Sequence, residues 1–276
     1  MKKILFPTDF SEASKNAFIY ALKLAESIQA EVVTMHVYQL PQANYINISE
    51  YLNEIYDVEA LSNFENYKDE VPILRGIAEE NNLDHIKISH VLILGNLVPE
   101  IKKITENENF DFVVMGTKGA TGLKETFFGT IATKVMNEVS ALVLVIPQHC
   151  QYSLIKKILF ITQYKTEDTE SFIKVLSLSK IFQAHVDCLR VESSHHETKN
   201  DCREDWNALI ENKDVVFHSI AEDDIEGIIL NFIDLHKIDL IAMHVYHRNF
   251  FEKLFEISLS KKLAFHIKVP ILGIHE

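Results

Sequence analysis

The sequence is poor in glycine and cysteine and has no long apolar run, and each shortage excludes a class of protein. Its 276 residues include only eight glycines and three cysteines. No run approaches the roughly 18 apolar residues that a membrane-spanning helix requires. The cysteines Cys150, Cys188 and Cys202 are odd in number and follow no metal-ligand spacing. We therefore expect no membrane partner, and reduced thiols in a cytoplasmic protein.

Positive charge is also scarce, which limits the partners of the chain. With 40 acidic and 27 basic residues, the formal net charge is −13. Because a nucleic-acid partner needs a basic face, we expect none. A small anion can still bind, since backbone amides and one or two lysines suffice. The opening segment MKKILFPTDF has too short an apolar run to predict a secretion signal.

The chain repeats itself. The pentapeptide KKILF occurs at residues 2–6 and again at 156–160, an offset of 154. At an offset of 128, FDFVVMGT (110–117) matches IDLIAMHV (238–245), and ALVLVIP (141–147) matches VPILGIH (269–275). We therefore predict two homologous domains, residues 1–150 and 151–276.

Within each half, short apolar runs alternate with longer amphipathic segments. The strand candidates of the first half are residues 3–7, 31–37, 86–94, 111–116 and 141–146. This alternation predicts an α/β fold, with a parallel sheet, right-handed crossovers and helices on both faces. In such a fold, ligands bind beyond the carboxyl ends of the strands.

Half of the glycines lie in one stretch, MGTKGATGLKETFFGT (115–130), directly after the fourth predicted strand. Glycine lets a ligand approach the backbone, and the amides of such a loop can form a nest for an anion. Gly129 and Thr130 open a helical pattern whose N-terminus favours phosphate. Neither common phosphate fingerprint is present. Spacing alone leaves a surface loop with a threonine helix cap as the alternative.

The spacing G-x2-G-x9-G-[ST] resembles the ATP-binding signature of the universal stress protein family. Gly116, Gly119, Gly129 and Thr130 match its four positions. KILFPTDFSEAS (3–14) resembles the family's first strand and ALVLVIP its last. The resemblance implies two tandem, five-stranded, Rossmann-like (adenine nucleotide alpha hydrolase-like) domains related by a pseudo-two-fold axis. It also implies that the last strands, 141–146 and 270–274, meet across that axis as an intramolecular pseudo-dimer; further homodimerisation stays open.

The same resemblance implies that the first half binds ATP, with or without Mg²⁺, and assigns the contacts. The residues at the adenosine end are Pro7, Thr8, Asp9, Val37 (through its backbone) and Met115. The residues at the phosphates are Gly116, Lys118, Gly119, Gly129, Thr130 and Ile131. Asp9 would accept hydrogen bonds from the ribose or the adenine. Lys118 either offsets phosphate charge or is solvated.

The second half has lost this motif. At the corresponding positions His244 replaces Gly116, His247 replaces Gly119, Ile257 replaces Gly129 and Gln163 replaces Asp9. Isoleucine resists positive φ and fills space that a phosphate needs. We therefore predict that the second half keeps the fold without the nucleotide site. His244 and His247 could also be read as a metal pair, but no further ligand completes a set, so we predict no metal site.

No catalytic constellation is evident, since G-x-S-x-G and H-E-x-x-H are both missing. We expect an ATP-binding stress-response regulator or interaction module with an unidentified protein partner. The alternatives are an interaction scaffold without nucleotide, and a weak ATPase in which Asp9 orients a water or Mg²⁺. The acidic, aromatic stretch 41–82 is either a helix that covers the sheet or a partner-docking surface.

Overall fold

A computed structural model describes residues 2–39, 49–117, 130–148, 150–192, 202–210, 214–245 and 268–275. The first half contains β1 (Lys2–Pro7), α1 (Glu12–Ile28), β2 (Ala30–Tyr38), α2 (Ser49–Glu80), β3 (Ile88–Leu94), α3 (Leu97–Glu108), β4 (Phe112–Gly116), α4 (Thr130–Glu138) and β5 (Leu142–Ile146). The second half contains β6 (Lys157–Ile161), α5 (Thr169–Phe182), β7 (His185–Glu192), α6 (Arg203–Asn207), β8 (Val215–Ala221), α7 (Ile225–His236), β9 (Leu240–His244) and β10 (Ile271–Ile274). The five strands predicted for the first half are confirmed to within two residues at each end.

The strands form one ten-stranded sheet in the order β3-β2-β1-β4-β5-β10-β9-β6-β7-β8. Each half contributes five parallel strands in the same relative order, read from opposite edges of the sheet. The two halves join where β5 and β10 pair antiparallel, with Val145 opposite Ile271 and Val143 opposite Gly273. Antiparallel pairing of corresponding strands relates the halves by a pseudo-two-fold axis. The predicted meeting of the last strands is confirmed.

Helices cover both faces of the sheet, so the central strands are apolar on both sides. Ile4 and Phe6 face one side with Phe18, and we call this side the α1 face; α1, α2 and α5 cover it. Leu5 faces the other side with Val135, and we call this side the α4 face; α3, α4 and α7 cover it. The sheet is therefore the middle layer of three.

The acidic stretch 41–82 contains the long helix α2, which begins at Ser49. Its buried residues Tyr67, Leu74 and Ala78 recur at helical spacing. Leu74 and Ala78 pack on the α1 face, and the Tyr67 ring lies 5.9 Å from that of Phe10. The interpretation as a helix that covers the sheet is confirmed for this segment. The side chains of Leu61 and Phe64 are 58% and 54% exposed, and a docking role for this surface stays a prediction. None of the described helices is long and apolar enough to cross a membrane.

Candidate functional site

The strand order creates a crevice between the carboxyl ends of β1 and β4. The chain leaves β1 through α1 to reach β2 on one side, and it later enters β4 on the other side of β1. Helix α1 packs on the α1 face, whereas α4, which follows β4, packs on the α4 face. Connections that diverge in this way mark the topological switch point at which α/β proteins bind ligands. The predicted site residues of the first half that the structure describes lie near this point.

Three predicted residues form an apolar wall along the crevice. Pro7, Val37 and Met115 lie near the carboxyl ends of the neighbouring strands β1, β2 and β4. Because side chains alternate along a strand, all three project to the α4 face. Met115 belongs to the buried cluster on that face, and Val37 packs against the cluster. An apolar wall of this kind suits the flat face of an aromatic base.

The peptide groups of Val37 point into the same crevice. The carbonyl of Met35 accepts a bond of 2.9 Å from the amide of Thr8, on the side of β1. The carbonyl of Tyr38 accepts a bond of 3.0 Å from the amide of Gly95, on the side of β3. Peptide groups of alternate residues in a parallel strand face alternate neighbours. Those of Val37 therefore face the side of β1, past Pro7, its last paired residue.

Asp9 lies in a tight turn between β1 and α1. The amide of Phe10 donates to Thr8 Oγ1 over 3.0 Å, and Phe10 adopts a left-handed conformation with φ of 60°. The Asp9 carboxylate is half-buried, and its Oδ1 accepts bonds of 3.1 Å and 2.7 Å from the amide and hydroxyl of Ser11. Since Ser11 is also the N-cap of α1, the orientation of the carboxylate is tied to the start of that helix.

Thr8 is used within the protein to build this turn. Its hydroxyl lies 2.8 Å from the hydroxyl of Ser14 and accepts the bond from Phe10. Its carbonyl lies 2.8 Å from Nδ1 of His36, and its amide donates to Met35. All the polar groups of Thr8 thus have partners, so its part in the site is to shape the turn that carries Asp9.

Gly116 is a strand residue, and the space beside it is used by α1. A Cβ atom at this position would lie 3.2 Å from the carbonyl oxygen of Ala13 and 3.8 Å from Cβ of Ala17. Glycine therefore allows the first turns of α1 to pack closely against the end of β4. Sequence reasoning assigned Gly116 to phosphate contact and did not foresee this packing role.

The phosphate end of the site is described in part. Lys118, Gly119 and Gly129 lie outside the described residues. Helix α4 begins at Thr130, as predicted, and Ile131 follows as its second residue with 47% of its surface exposed. Because α4 connects the parallel strands β4 and β5, its N-terminus lies at the carboxyl edge of the sheet. Anions are stabilised at such an N-terminus by its amides and dipole.

Comparison with known proteins decides the family. The model of the universal stress protein family matches residues 1–147. The chain belongs to the universal stress protein family. Universal stress protein MJ0577 of Methanocaldococcus jannaschii is 30% identical over 158 residues, covering 52% of this chain and 94% of that protein. Universal stress protein MJ0531 of the same organism is 32% identical over 152 residues, covering 52% of this chain and 81% of that protein.

The fold match extends over both halves. The crystal structure of a universal stress protein from Archaeoglobus fulgidus has a TM-score of 0.74, covering 99% of this chain and 96% of that chain. The sequence identity is 20%, so this likeness shows the fold alone. The α/β fold predicted for this universal stress protein is confirmed.

The second half of the universal stress protein repeats the Asp9 turn with two changes, at the positions of Asp9 and Ser14. The amide of Tyr164 donates to Thr162 Oγ1 over 2.9 Å, and Tyr164 is left-handed with φ of 54°, close to the 60° of Phe10 in the first half. Gln163 occupies the position of Asp9. The fully buried Asp168, at the position of Ser14, accepts bonds of 2.8 Å from the Thr162 hydroxyl and 3.0 Å from the Gln163 amide. The carboxylate here therefore faces the interior of the turn instead of the crevice.

A histidine fills the place of Gly116 in the second half. His244 is 4% exposed, and its Nδ1 lies 2.6 Å from the hydroxyl of Ser171, which stands at the position of Ala17. The imidazole thus packs between β9 and α5, whereas in the first half α1 itself lies close to Gly116. Two other replacements, His247 and Ile257, lie outside the described residues.

Sequence reasoning missed a cluster around Asp187, whose side chain is 4% exposed. Its carboxylate oxygens lie 2.7 Å from Nε2 of His218, 3.3 Å from Nε2 of His185 and 3.8 Å from Nδ1 of His236. The cluster lies near the amino end of β7, on the edge of the sheet opposite the crevice. Within the described ranges, no group of three or more His, Cys, Asp or Glu residues is arranged to hold a metal ion.

Proposed function

We propose that this universal stress protein binds ATP in the crevice between β1 and β4 and acts in the cytoplasm as a nucleotide-dependent interaction module. One observation carries the proposal: three different kinds of recognition group converge at the switch point. They are the Asp9 carboxylate, the peptide groups of Val37 and the start of α4. Together they offer a hydrogen-bond acceptor for a sugar hydroxyl, backbone hydrogen-bonding groups for the edge of a base, and a helix N-terminus that stabilises phosphate.

The apolar wall supports a nucleotide over a simple anion. An inorganic phosphate would need only the helix N-terminus and would leave the partly exposed Val37 side chain uncovered. A base placed against this wall would hide apolar surface from water, which stabilises binding. The Asp9 carboxylate would repel a bare anion but can accept a bond from a ribose hydroxyl.

We further propose that the chain has one nucleotide site, in residues 1–150, and that residues 151–276 are a degenerate domain. At the switch point of the second half, His244 fills the position of Gly116. Asp168 is bonded inside the turn, and Gln163 stands where Asp9 would accept a bond. A second ATP would therefore lack the carboxylate that Asp9 offers in the first half.

Isothermal titration calorimetry with ATP tests the site and its number. We expect close to one ATP per chain. Asp9→Ala should weaken binding about 10-fold to 100-fold, because a hydrogen bond to a charged group is lost. Gly129→Ile, which copies residue 257, should abolish binding while the far-UV circular dichroism stays native. Gln163→Ala is the matched control in the second half and should bind ATP as the unmodified protein does.

Three outcomes would contradict the proposal. Two ATP per chain, or a loss of binding in Gln163→Ala, would place a functional site in the second half. No binding and no thermal shift in millimolar ATP would favour a scaffold that works without nucleotide. Steady phosphate release that disappears in Asp9→Ala beyond the loss of binding would make the protein an ATPase.

A further inference from the structure

We propose that the hydroxyl of Thr117 is a further nucleotide contact, donating a hydrogen bond to a phosphate oxygen of the bound ATP. The proposal rests on the proposed function and adds a residue that lies between the signature positions Gly116 and Gly119. The structure shows a buried hydroxyl that has no hydrogen-bond partner among the described residues. Val245, the corresponding residue of the second half, shows that the fold itself does not require this hydroxyl.

Thr117 is buried, yet its side chain is unsatisfied. Its relative exposure is 3%, and within the described part of the chain its Oγ1 has no hydrogen-bond partner. Its amide donates to the carbonyl of Ile146 over 3.0 Å, so the residue continues the ladder between β4 and β5. A hydroxyl withdrawn from water without a replacement bond destabilises the folded state.

Val245 shows that the fold does not need this hydroxyl. It occupies the corresponding position of the second half, and its amide donates to Ile274 over 2.9 Å in the same way. Its relative exposure is 4%, and it belongs to the apolar cluster on the α4 face. Valine has nearly the shape of threonine with a methyl group in place of the hydroxyl. The half with the glycine signature thus keeps the less favourable residue, and the half without it has the apolar one.

The position of Thr117 directs its hydroxyl toward the phosphates. Since Thr117 continues the ladder of β4, its side chain lies on the same face as that of Met115, the α4 face. This is also the face from which α4 begins, and the glycine loop departs directly after Thr117. A nucleotide with its base against the wall would therefore carry its phosphate chain past this hydroxyl. The hydroxyl would gain its missing partner only when ATP is bound.

The test is Thr117→Val, with Thr117→Ser as the conservative variant, compared by calorimetry with ATP and with adenosine. We expect Thr117→Val to weaken ATP binding about tenfold, because a hydrogen bond to a charged oxygen is lost. Adenosine, which has no phosphate, should bind the variant and the unmodified protein equally. Thr117→Ser keeps the hydroxyl and should restore ATP affinity to within about threefold.

Thermal unfolding without nucleotide separates this role from a structural one. The melting temperature of Thr117→Val should equal or exceed that of the unmodified protein, because an unsatisfied hydroxyl is removed. The reverse change in the second half, Val245→Thr, should lower the melting temperature and create no second ATP site.

The outcomes distinguish this proposal from the one it rests on. If the unmodified protein binds no ATP, the proposed function fails. If it binds ATP and Thr117→Val binds ATP equally well, the Thr117 contact alone is wrong. A melting temperature that falls in Thr117→Val would make the hydroxyl structural, and an equal loss of adenosine affinity would exclude phosphate as its partner.

Discussion

Nδ1 of His244 lies 2.6 Å from the hydroxyl of Ser171, whereas Gly116 and Ala17 occupy the corresponding positions of the first half. The two halves thus complete the same junction between their first helix and fourth strand in different ways. One half uses minimal side chains and brings helix and strand backbones close together. The other inserts a polar pair. This single difference changes how helix and strand pack at the junction while the fold is kept.

The buried pair predicts a measurable contribution of His244 to stability. His244→Ala would leave a cavity and a buried Ser171 hydroxyl without this partner, so we expect a loss of about 2–4 kcal/mol in the free energy of unfolding. Urea denaturation followed by Trp206 fluorescence measures it, since this fully buried residue is the only tryptophan in the chain. His85→Ala, at an exposed histidine, is the control and should stay within about 0.5 kcal/mol. A similarly small effect at His244 would show that the pair does not stabilise the junction.

The turn in the second half depends on Asp168. Its Oδ2 accepts bonds from the Thr162 hydroxyl and from the amides of Gln163 and Lys165, at 2.8 Å, 3.0 Å and 3.2 Å. Asp168→Ala would leave these donors unsatisfied, and we expect a loss of about 2–4 kcal/mol in urea denaturation. Glu167→Ala removes an exposed carboxylate one residue earlier and should change the unfolding free energy little. Equal effects of the two substitutions would contradict the assigned role of Asp168.

His90 predicts a pH dependence of stability. Burial lowers the pKa of its imidazole, and the nearby Arg75 lowers the pKa further; its Nδ1 lies 2.7 Å from Thr34 Oγ1. A histidine with a lowered pKa in the folded state takes up a proton more readily when unfolded. Its neutral form therefore stabilises the fold above the unfolded pKa of about 6.5, and this contribution is lost as the pH falls below it.

Urea denaturation at pH 7.5 and at pH 5.5 tests this dependence. The unmodified protein should lose more stability between the two pH values than His90→Asn, which cannot titrate in this range. His85→Asn, at an exposed position, should behave like the unmodified protein. An equal pH dependence in His90→Asn and the unmodified protein would exclude His90 as the source.

The cysteines are expected to differ in reactivity. Burial raises the pKa of the Cys150 thiol to about 11 and that of Cys188 well above its usual value. Because the thiolate is the reactive form, both should resist alkylation at pH 8. Cys202 is only partly buried, so brief iodoacetamide treatment followed by peptide mass mapping should find it modified first. Modification of Cys150 or Cys188 at the same rate in the native protein would show that their burial is not maintained.

Much of the architecture could be predicted because it depends on local sequence patterns, namely apolar runs and repeated segments. The apolar runs predicted the strands of the first half to within two residues, and the offset of 154 placed Gln163 at the position of Asp9. The offset of 128 placed His244 at the position of Gly116. The last-strand pairing followed from the family resemblance, and the antiparallel register of Val145 with Ile271 confirms it.

Other features depend on which distant residues meet. No pattern around Thr117 shows that its hydroxyl lacks a partner, because the surrounding atoms come from several segments of the chain. The same is true of Asp187, whose three histidines lie on β7, β8 and α7. Asp168 could have been suspected, since it replaces Ser14 at the same offset. Its inward orientation appeared only in the folded chain.

By itself, the sequence determined that this protein is a tandem α/β chain with one intact glycine signature, because residue periodicity and spacing are properties of short segments. Only the tertiary structure decided that Gly116 makes room for α1, that the peptide groups of Val37 face the crevice and that no described residue pairs with the hydroxyl of Thr117. The physical reason is that the partner of a side chain or a polar group is whichever residue the folded chain places beside it. In this sheet the group is often more than 100 residues away along the chain, as Ala13 is from Gly116.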